Sequence, residues 1–259
     1  MRPNEILKTI LPPSMHRWLR DRRLPFEHLR RRLGFAPRLL RRVTPINPID
    51  YGESRGHCID RYYIEKFLDA HTADVQGHVL DFSDDTYARR FGGTKATKVD
   101  VLHLTSDNPH ATIVADLERG ENIPSDTFDC ILCTQVLHCI FDLHAAVRTL
   151  YRILKPGGVV LVTDAGIQKV DSEDLANREE YWRFTSLALR QLFEDVFPKD
   201  HVKVEAFGNV LAAIAFLQGL AVEDLRREDL DVFDPDYEVS IALRAVKPKT
   251  SSTDSSAKK

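Results

Sequence analysis

Short apolar runs alternate with amphipathic stretches through the middle of this chain. Residues 78–82 (HVLDF), 96–102 (ATKVDVL), 112–115 (TIVA), 128–134 (FDCILCT) and 159–163 (VVLVT) are short and mostly β-branched or apolar, as strands buried on both faces are. Two further runs, 202–207 and 238–246, close the pattern. Between them the period lengthens. Asp60 stands as N-cap before RYYIEKFLDA, with Ile59 and Ile64 spaced for a hydrophobic staple. Asp142 precedes Leu143, Ala146, Val147, Leu150 and Leu154, one face of a helix, and Lys155-Pro156-Gly157-Gly158 stops it. A third helix starts at Thr185, with Phe184 and Leu189 placed as its staple. Strand alternating with helix predicts an α/β protein with a doubly wound, mostly parallel sheet.

The flanks read differently. Residues 1–54 form an arm and linker. Pro3, Pro12, Pro13, Pro25 and Pro37 limit the arm to short helices, such as Ser14 to Leu24, and residues 44–56 read as an extended linker. The folded domain is expected over 55–246, and the Ser/Lys-rich residues 247–259 as a disordered tail. Residues 208–227 (GNVLAAIAFLQGLAVEDLRR) predict an apolar helix that serves as acceptor-pocket wall, homodimer contact or plain core.

Composition narrows the class. A chain of 259 residues, 43% hydrophobic, is long enough to bury a sizeable core, which excludes a disordered or collagenous protein. Its net charge of −3 hides a division: 11 Arg and one Lys against Glu5, Asp21 and Glu27 give residues 1–42 a charge of +9, leaving −12 on the rest. The basic arm invites nucleic acid, but the acidic remainder lacks a basic face interleaved with aromatics, so nucleic acid is not favoured. Four cysteines are too few for a disulfide framework and suit a reducing cytoplasm. Cys130 and Cys133 fall three apart in a predicted strand, on opposite faces, which argues against zinc. The sequence suggests neither a secretory signal nor a transmembrane segment, since the longest apolar stretch, Val210 to Leu217, is far short of the ~20 residues a bilayer needs.

In an open α/β sheet the ligand lies beyond the carboxyl ends of the strands. Asp81 ends the first predicted strand, Asp100 lies in the second, Asp116 follows the third and Thr134 to His138 follow the fourth. A carboxylate about 20 residues beyond the first strand has the spacing that meets ribose hydroxyls in dinucleotide sites.

Three longer segments, ADLERGENIPSDTFDCILCTQVLH (115–138), LYRILKPGGVVLVTD (150–164) and YWRFTSLALRQLFEDVF (181–197), resemble the class I S-adenosylmethionine (SAM)-dependent methyltransferases of the small-molecule type. RGHCIDRYYIEKFL (55–68) is similar to the helix before the first strand in bacterial relatives found with sugar-modifying enzymes. The resemblance implies a seven-stranded sheet whose last strand is antiparallel. It also implies SAM as cofactor: Asp81 at the methionine end, Asp100 on the ribose, Asp116 and Leu117 at the adenine, and Gln135 beside the sulfonium. The departure is the first motif. The family reads acid-x-Gly-x-Gly-x-Gly, whereas residues 81–87 read DFSDDTY. Ser83 is small enough to replace part of that loop, and an Asx-turn would supply the rest.

Methyl transfer needs alignment above all, and an oxygen acceptor also wants a base near neutrality, which singles out His138. Relatives carry Leu-Glu-His where this chain has Leu137-His138-Cys139. Tyr62 at the pocket rim and Arg183 toward an acidic group are candidate substrate contacts. The combined reading is an O-methyltransferase for a small molecule, a sugar or secondary metabolite. Its alternative is a methyltransferase-like partner subunit without catalysis.

Overall fold

A computed structural model describes residues 50–170 and 180–249. Seven strands form one sheet: β1 (Gly77–Phe82), β2 (Ala96–His103), β3 (Ile113–Val114), β4 (Phe128–Thr134), β5 (Leu154–Ala165), β6 (Val202–Phe207) and β7 (Ser240–Val246). Their spatial order is β3-β2-β1-β4-β5-β7-β6. The pairs among β1 to β5 are parallel, while β7 runs antiparallel to both β5 and β6. Seven strands with the last one antiparallel are what the resemblance implies. Strand order reverses between β1 and β4, so a crevice opens at their carboxyl ends.

Helix α1 (Ile59–Ala70) covers one face of the sheet, with Ile64, Phe67 and Leu68 buried alongside Val79 and Leu132. Helices α2 (Leu143–Ile153) and α3 (Ser186–Glu194) cover the other, burying Val147, Leu150 and Leu189 with Ile131 and Val160. Cys130 and Cys133 belong to these two separate clusters, on opposite faces. Asp142 caps α2 by accepting from the Ala145 N–H at 2.9 Å, and Thr185 caps α3 by accepting from the Ala188 N–H at 3.2 Å.

The start of α1 differs from expectation. Its N-cap is Cys58, held extended by a bridge to Ala221, so Asp60 lies inside the first turn. Cys58 offers no side-chain cap, a loss of about 1 kcal/mol. Burial of Ile64, Phe67 and Leu68 outweighs it at roughly 1.5–3 kcal/mol each. The KPGG turn also differs. Strand pairing jumps from Phe128↔Leu154 to Cys130↔Val159, so residues 155–158 loop out within β5 around Gly157 at φ +85°.

The described part of the linker is a turn rather than an extended segment. Asp50 accepts from the Gly52 and Ser54 N–H groups, and Arg55 pairs with Asp224 at 2.7 Å. At the other end Lys247 is fixed by Asp126 and the Leu154 carbonyl, so the tail is ordered at its first residue. The Ser14 to Leu24 helix and the tail beyond residue 249 lie outside the described residues. The apolar helix α4 (Val210–Leu217) packs Ala212, Ala215 and Phe216 against Ile59 and Tyr63 of α1, as core. Among the described residues no helix is long and apolar enough to cross a membrane.

Candidate active site

At the carboxyl end of β1 the chain must leave the sheet without the glycines that usually permit it. Ser83 adopts φ +68°, a left-handed conformation that glycine favours, and Asp84 closes an Asx-turn by accepting from the Thr86 N–H at 2.8 Å. Asn108 holds the Ser83 carbonyl at 2.6 Å. Asp81 anchors the loop from below: one carboxylate oxygen accepts from the Phe82 N–H and the other from the Ala88 N–H, both at 2.9 Å. Burial pushes the Asp81 carboxyl up to about 7 in spite of these two donors. Across the crevice, Gln135 turns out of β4 at φ +55°, and its N–H donates to the Thr163 carbonyl at 2.8 Å.

Two cavities meet at this pair of turns, and both are lined by Phe82, Ser83 and Gln135. The first, about 460 Å³, lies over β2, β3 and β4. Leu102, Leu104, Leu117 and Val136 give it apolar walls, and His103, Asp116 and Glu118 add polar groups. Glu118 also fixes the local chain, since its Oε1 accepts from the Phe141 and Asp142 N–H groups at 2.9 and 3.0 Å. The second cavity, about 500 Å³, lies on the α1 side and is lined mostly by polar groups, among them Asp60, Arg61, Asp81, Asp84, His138 and Gln168.

The predicted residues divide between these places. Asp116, Leu117, Ser83 and Gln135 line the first cavity, while Asp81 and His138 line the second. Asp100 lines neither. It sits in the body of β2, three residues before the strand ends, and bonds to His78 at 2.6 Å and to Lys98 and Thr112 at 2.9 Å. Burial opposes ionisation there, but these partners hold its carboxyl below the usual range. The residue that does end β2 and face the cavity is His103, which the spacing argument passed over. The signal was present in the strand pattern, because β2 continues to the residue before the loop.

Tyr62 is not at the pocket rim. Its hydroxyl donates to Asp231 at 2.8 Å, and its ring packs against the cluster that holds Tyr63 and Phe216. Arg183 is likewise occupied: it donates to Glu180 at 2.6 Å and to the carbonyls of Gln168 and Lys169, tying two segments together. His138 is buried and its Nδ1 lies 2.7 Å from Asp164 Oδ1. Desolvation disfavours the imidazolium, but the Asp164 carboxylate outweighs it and the pKa is pushed up to about 10. The Asp164 carboxylate thus favours the imidazolium, which works against the role of base that the sequence suggested.

A family model described as "Methyltransferase domain" matches residues 18–201. Over 64 residues the chain is 39% identical to the ubiquinone/menaquinone biosynthesis C-methyltransferase UbiE of Marinomonas sp. (strain MWYL1); that match spans 25% of this chain and 25% of that protein. Among solved structures, the chain is similar to a SAM-dependent methyltransferase from Archaeoglobus fulgidus, with 14% identity, TM-score 0.47, and 72% of this chain and 94% of that one covered. A SAM-dependent methyltransferase from Mesorhizobium loti matches at 21% identity and TM-score 0.47, with 70% and 95% covered.

Proposed function

Because the chain belongs to the methyltransferase domain family, we propose that it transfers a methyl group from SAM to a small polar acceptor, at a hydroxyl of a sugar or secondary metabolite. The observation that carries this reading is the pair of cavities joined at Ser83 and Gln135. One is amphipathic and suits an adenosine; the other is polar and rich in carboxylates, and suits cationic and hydroxylated groups.

The residues present fit the donor. Ser83 takes the left-handed turn expected of glycine, so its loop follows the path that a close approach of backbone to ligand requires. Asp116 and Leu117 would hold the adenine, His103 rather than Asp100 the ribose, and Asp81 and Ser83 the methionine end. Gln135, which borders both cavities, would stand beside the sulfonium. The donor supplies an activated methyl group. The protein's part is alignment and exclusion of water, which supply much of the rate in an in-line displacement. His138, as an imidazolium bound to Asp164, would position the acceptor by hydrogen bonding, and the proton lost from the acceptor hydroxyl as the methyl group arrives would pass to solvent. We take the methyltransferase unit as residues 55–246 and residues 1–54 as an arm, although the matched family span begins inside that arm, at residue 18.

Calorimetric titration of S-adenosylhomocysteine into the full chain tests this reading. Micromolar binding is expected, and its loss in Asp116→Ala. Absence of binding in the wild type would sink the assignment. Binding without turnover on any hydroxylated acceptor would favour the non-catalytic partner instead.

A further inference from the structure

The second cavity holds more polar demand than the protein meets. Three buried side-chain atoms have no hydrogen-bond partner and belong to residues that line it: Asp60 Oδ1, Gln135 Nε2 and Gln168 Oε1. Buried polar groups are almost always satisfied, so a concentration of exceptions in one cavity marks where water or a bound ligand supplies the missing partners. The terminal torsions of Asp and Gln are broad, and a modest rotation brings each group onto such a ligand.

The charges around the cavity sort that ligand further. Its lining includes the carboxylates Glu53, Asp60, Glu65, Asp81 and Asp84 against two guanidinium groups, Arg61 and Arg90. Arg90 is committed to Glu65 at 2.7 Å, and Arg61 approaches the Tyr87 hydroxyl at 3.5 Å. The His138 charge is already met by Asp164. Both oxygens of Asp81 are taken by backbone N–H groups. Asp60 keeps one oxygen, Oδ1, without a partner, and burial pushes its carboxyl up against the pull of the neighbouring Arg61 charge. A hydroxyl would give it one donor and no charge, whereas a protonated amine gives several donors and the compensating charge as well.

We propose that the second cavity binds an acceptor carrying a protonated amine beside its hydroxyls, with Asp60 as the ammonium anchor and Gln135 and Gln168 on neighbouring oxygens. This rests on the methyl-transfer reading and names the class of acceptor within it: an amino sugar or a comparable amino alcohol. Asp60 lies in α1, before β1 begins, and is absent from the lining of the first cavity. Its removal should therefore spare the nucleoside half of the site.

The test uses the full chain saturated with S-adenosylhomocysteine and two matched probes, D-glucosamine and N-acetyl-D-glucosamine, titrated by saturation-transfer NMR at pH 6.5. The acetyl group removes the positive charge and keeps the ring. Glucosamine is expected to bind at least about ten-fold more tightly, a difference near 1.4 kcal/mol. Asp60→Asn should bring the two probes within about two-fold of each other and leave S-adenosylhomocysteine affinity unchanged. Equal binding of the two sugars, or no binding of glucosamine, overturns the proposal, as does an Asp60→Asn variant that loses S-adenosylhomocysteine instead. The wild-type comparison decides the matter even if the variant does not fold. Failure of the wild type to bind S-adenosylhomocysteine is a separate result, and it overturns the methyl-transfer reading on which the proposal rests.

Discussion

His138 and Asp164 form a buried pair at the end of the central strands: Nδ1 and Oδ1 are 2.7 Å apart, and the His138 backbone N–H donates to the second Asp164 oxygen at 3.2 Å. Removing one partner from such a pair leaves an uncompensated buried charge, a loss of roughly 3–5 kcal/mol. Asp164→Ala is expected to lose that much in urea denaturation at pH 7. The pair also sets a pH dependence. The folded protein holds the imidazolium up to about 10, above the ordinary 6.5, so its stabilisation is complete below about pH 6.5 and is lost as pH rises through about 10. Denaturation midpoints across that window measure it, and in His138→Gln this part of the slope should vanish.

Ser83 tests whether the loop after β1 does the work of a glycine loop. A non-glycine residue in the left-handed region carries about 1–2 kcal/mol of strain. Ser83→Gly should therefore be at least as stable as the wild type and bind S-adenosylhomocysteine at least as well. Ser83→Val, β-branched at a positive φ, should lower the thermal midpoint and weaken binding about ten-fold or more. Calorimetry on the pair of variants checks both directions.

The end of β2 separates two candidates for the ribose. His103→Ala should weaken S-adenosylhomocysteine binding by about ten-fold, the worth of one lost hydrogen bond of about 1.4 kcal/mol. Asp100→Ala should change that affinity by less than about two-fold while lowering stability, because its three partners in the sheet are stranded. The reverse pattern would return the ribose to Asp100.

Asp81 makes cofactor affinity depend on pH. Its carboxyl titrates near 7 in the free protein because it is buried. Folding thus favours the uncharged form, a stabilisation present below about pH 3.8 and lost as pH rises through about 7. A bound sulfonium and ammonium favour the carboxylate instead. SAM binding should then release a proton near neutrality and tighten as pH rises from about 6 to 8. Titrations in buffers of different ionisation enthalpy count that proton, and a pH-independent affinity would show that no cation reaches Asp81.

The strands and helices were legible because each repeats its apolar positions at its own period, and Asp142 and Thr185 cap where polar residues precede apolar faces. The loop at Ser83 was legible as a departure, since an Asp two residues before a Thr suffices for the turn seen. Asp60 was misread as a cap because a local rule cannot register the bridge between Cys58 and Ala221. Tyr62 looked like a substrate contact because its partner, Asp231, is distant in the chain, and Arg183 because its acceptors include the backbone carbonyls of residues 168 and 169 beside the nearby Glu180.

Local order in the sequence was enough to determine a mostly parallel α/β sheet and the loops after its strands where chemistry would gather. Those features depend on hydrophobic period and on turn residues a few positions apart. The tertiary structure decided which charges are spent and which are free. Asp100 is consumed within the sheet by His78, Lys98 and Thr112. His138 is drawn toward the imidazolium by Asp164, 26 residues away. Asp60 keeps a buried oxygen unmatched. The protonation and availability of a side chain depend on what burial removes and what distant segments return, and neither can be read along the chain.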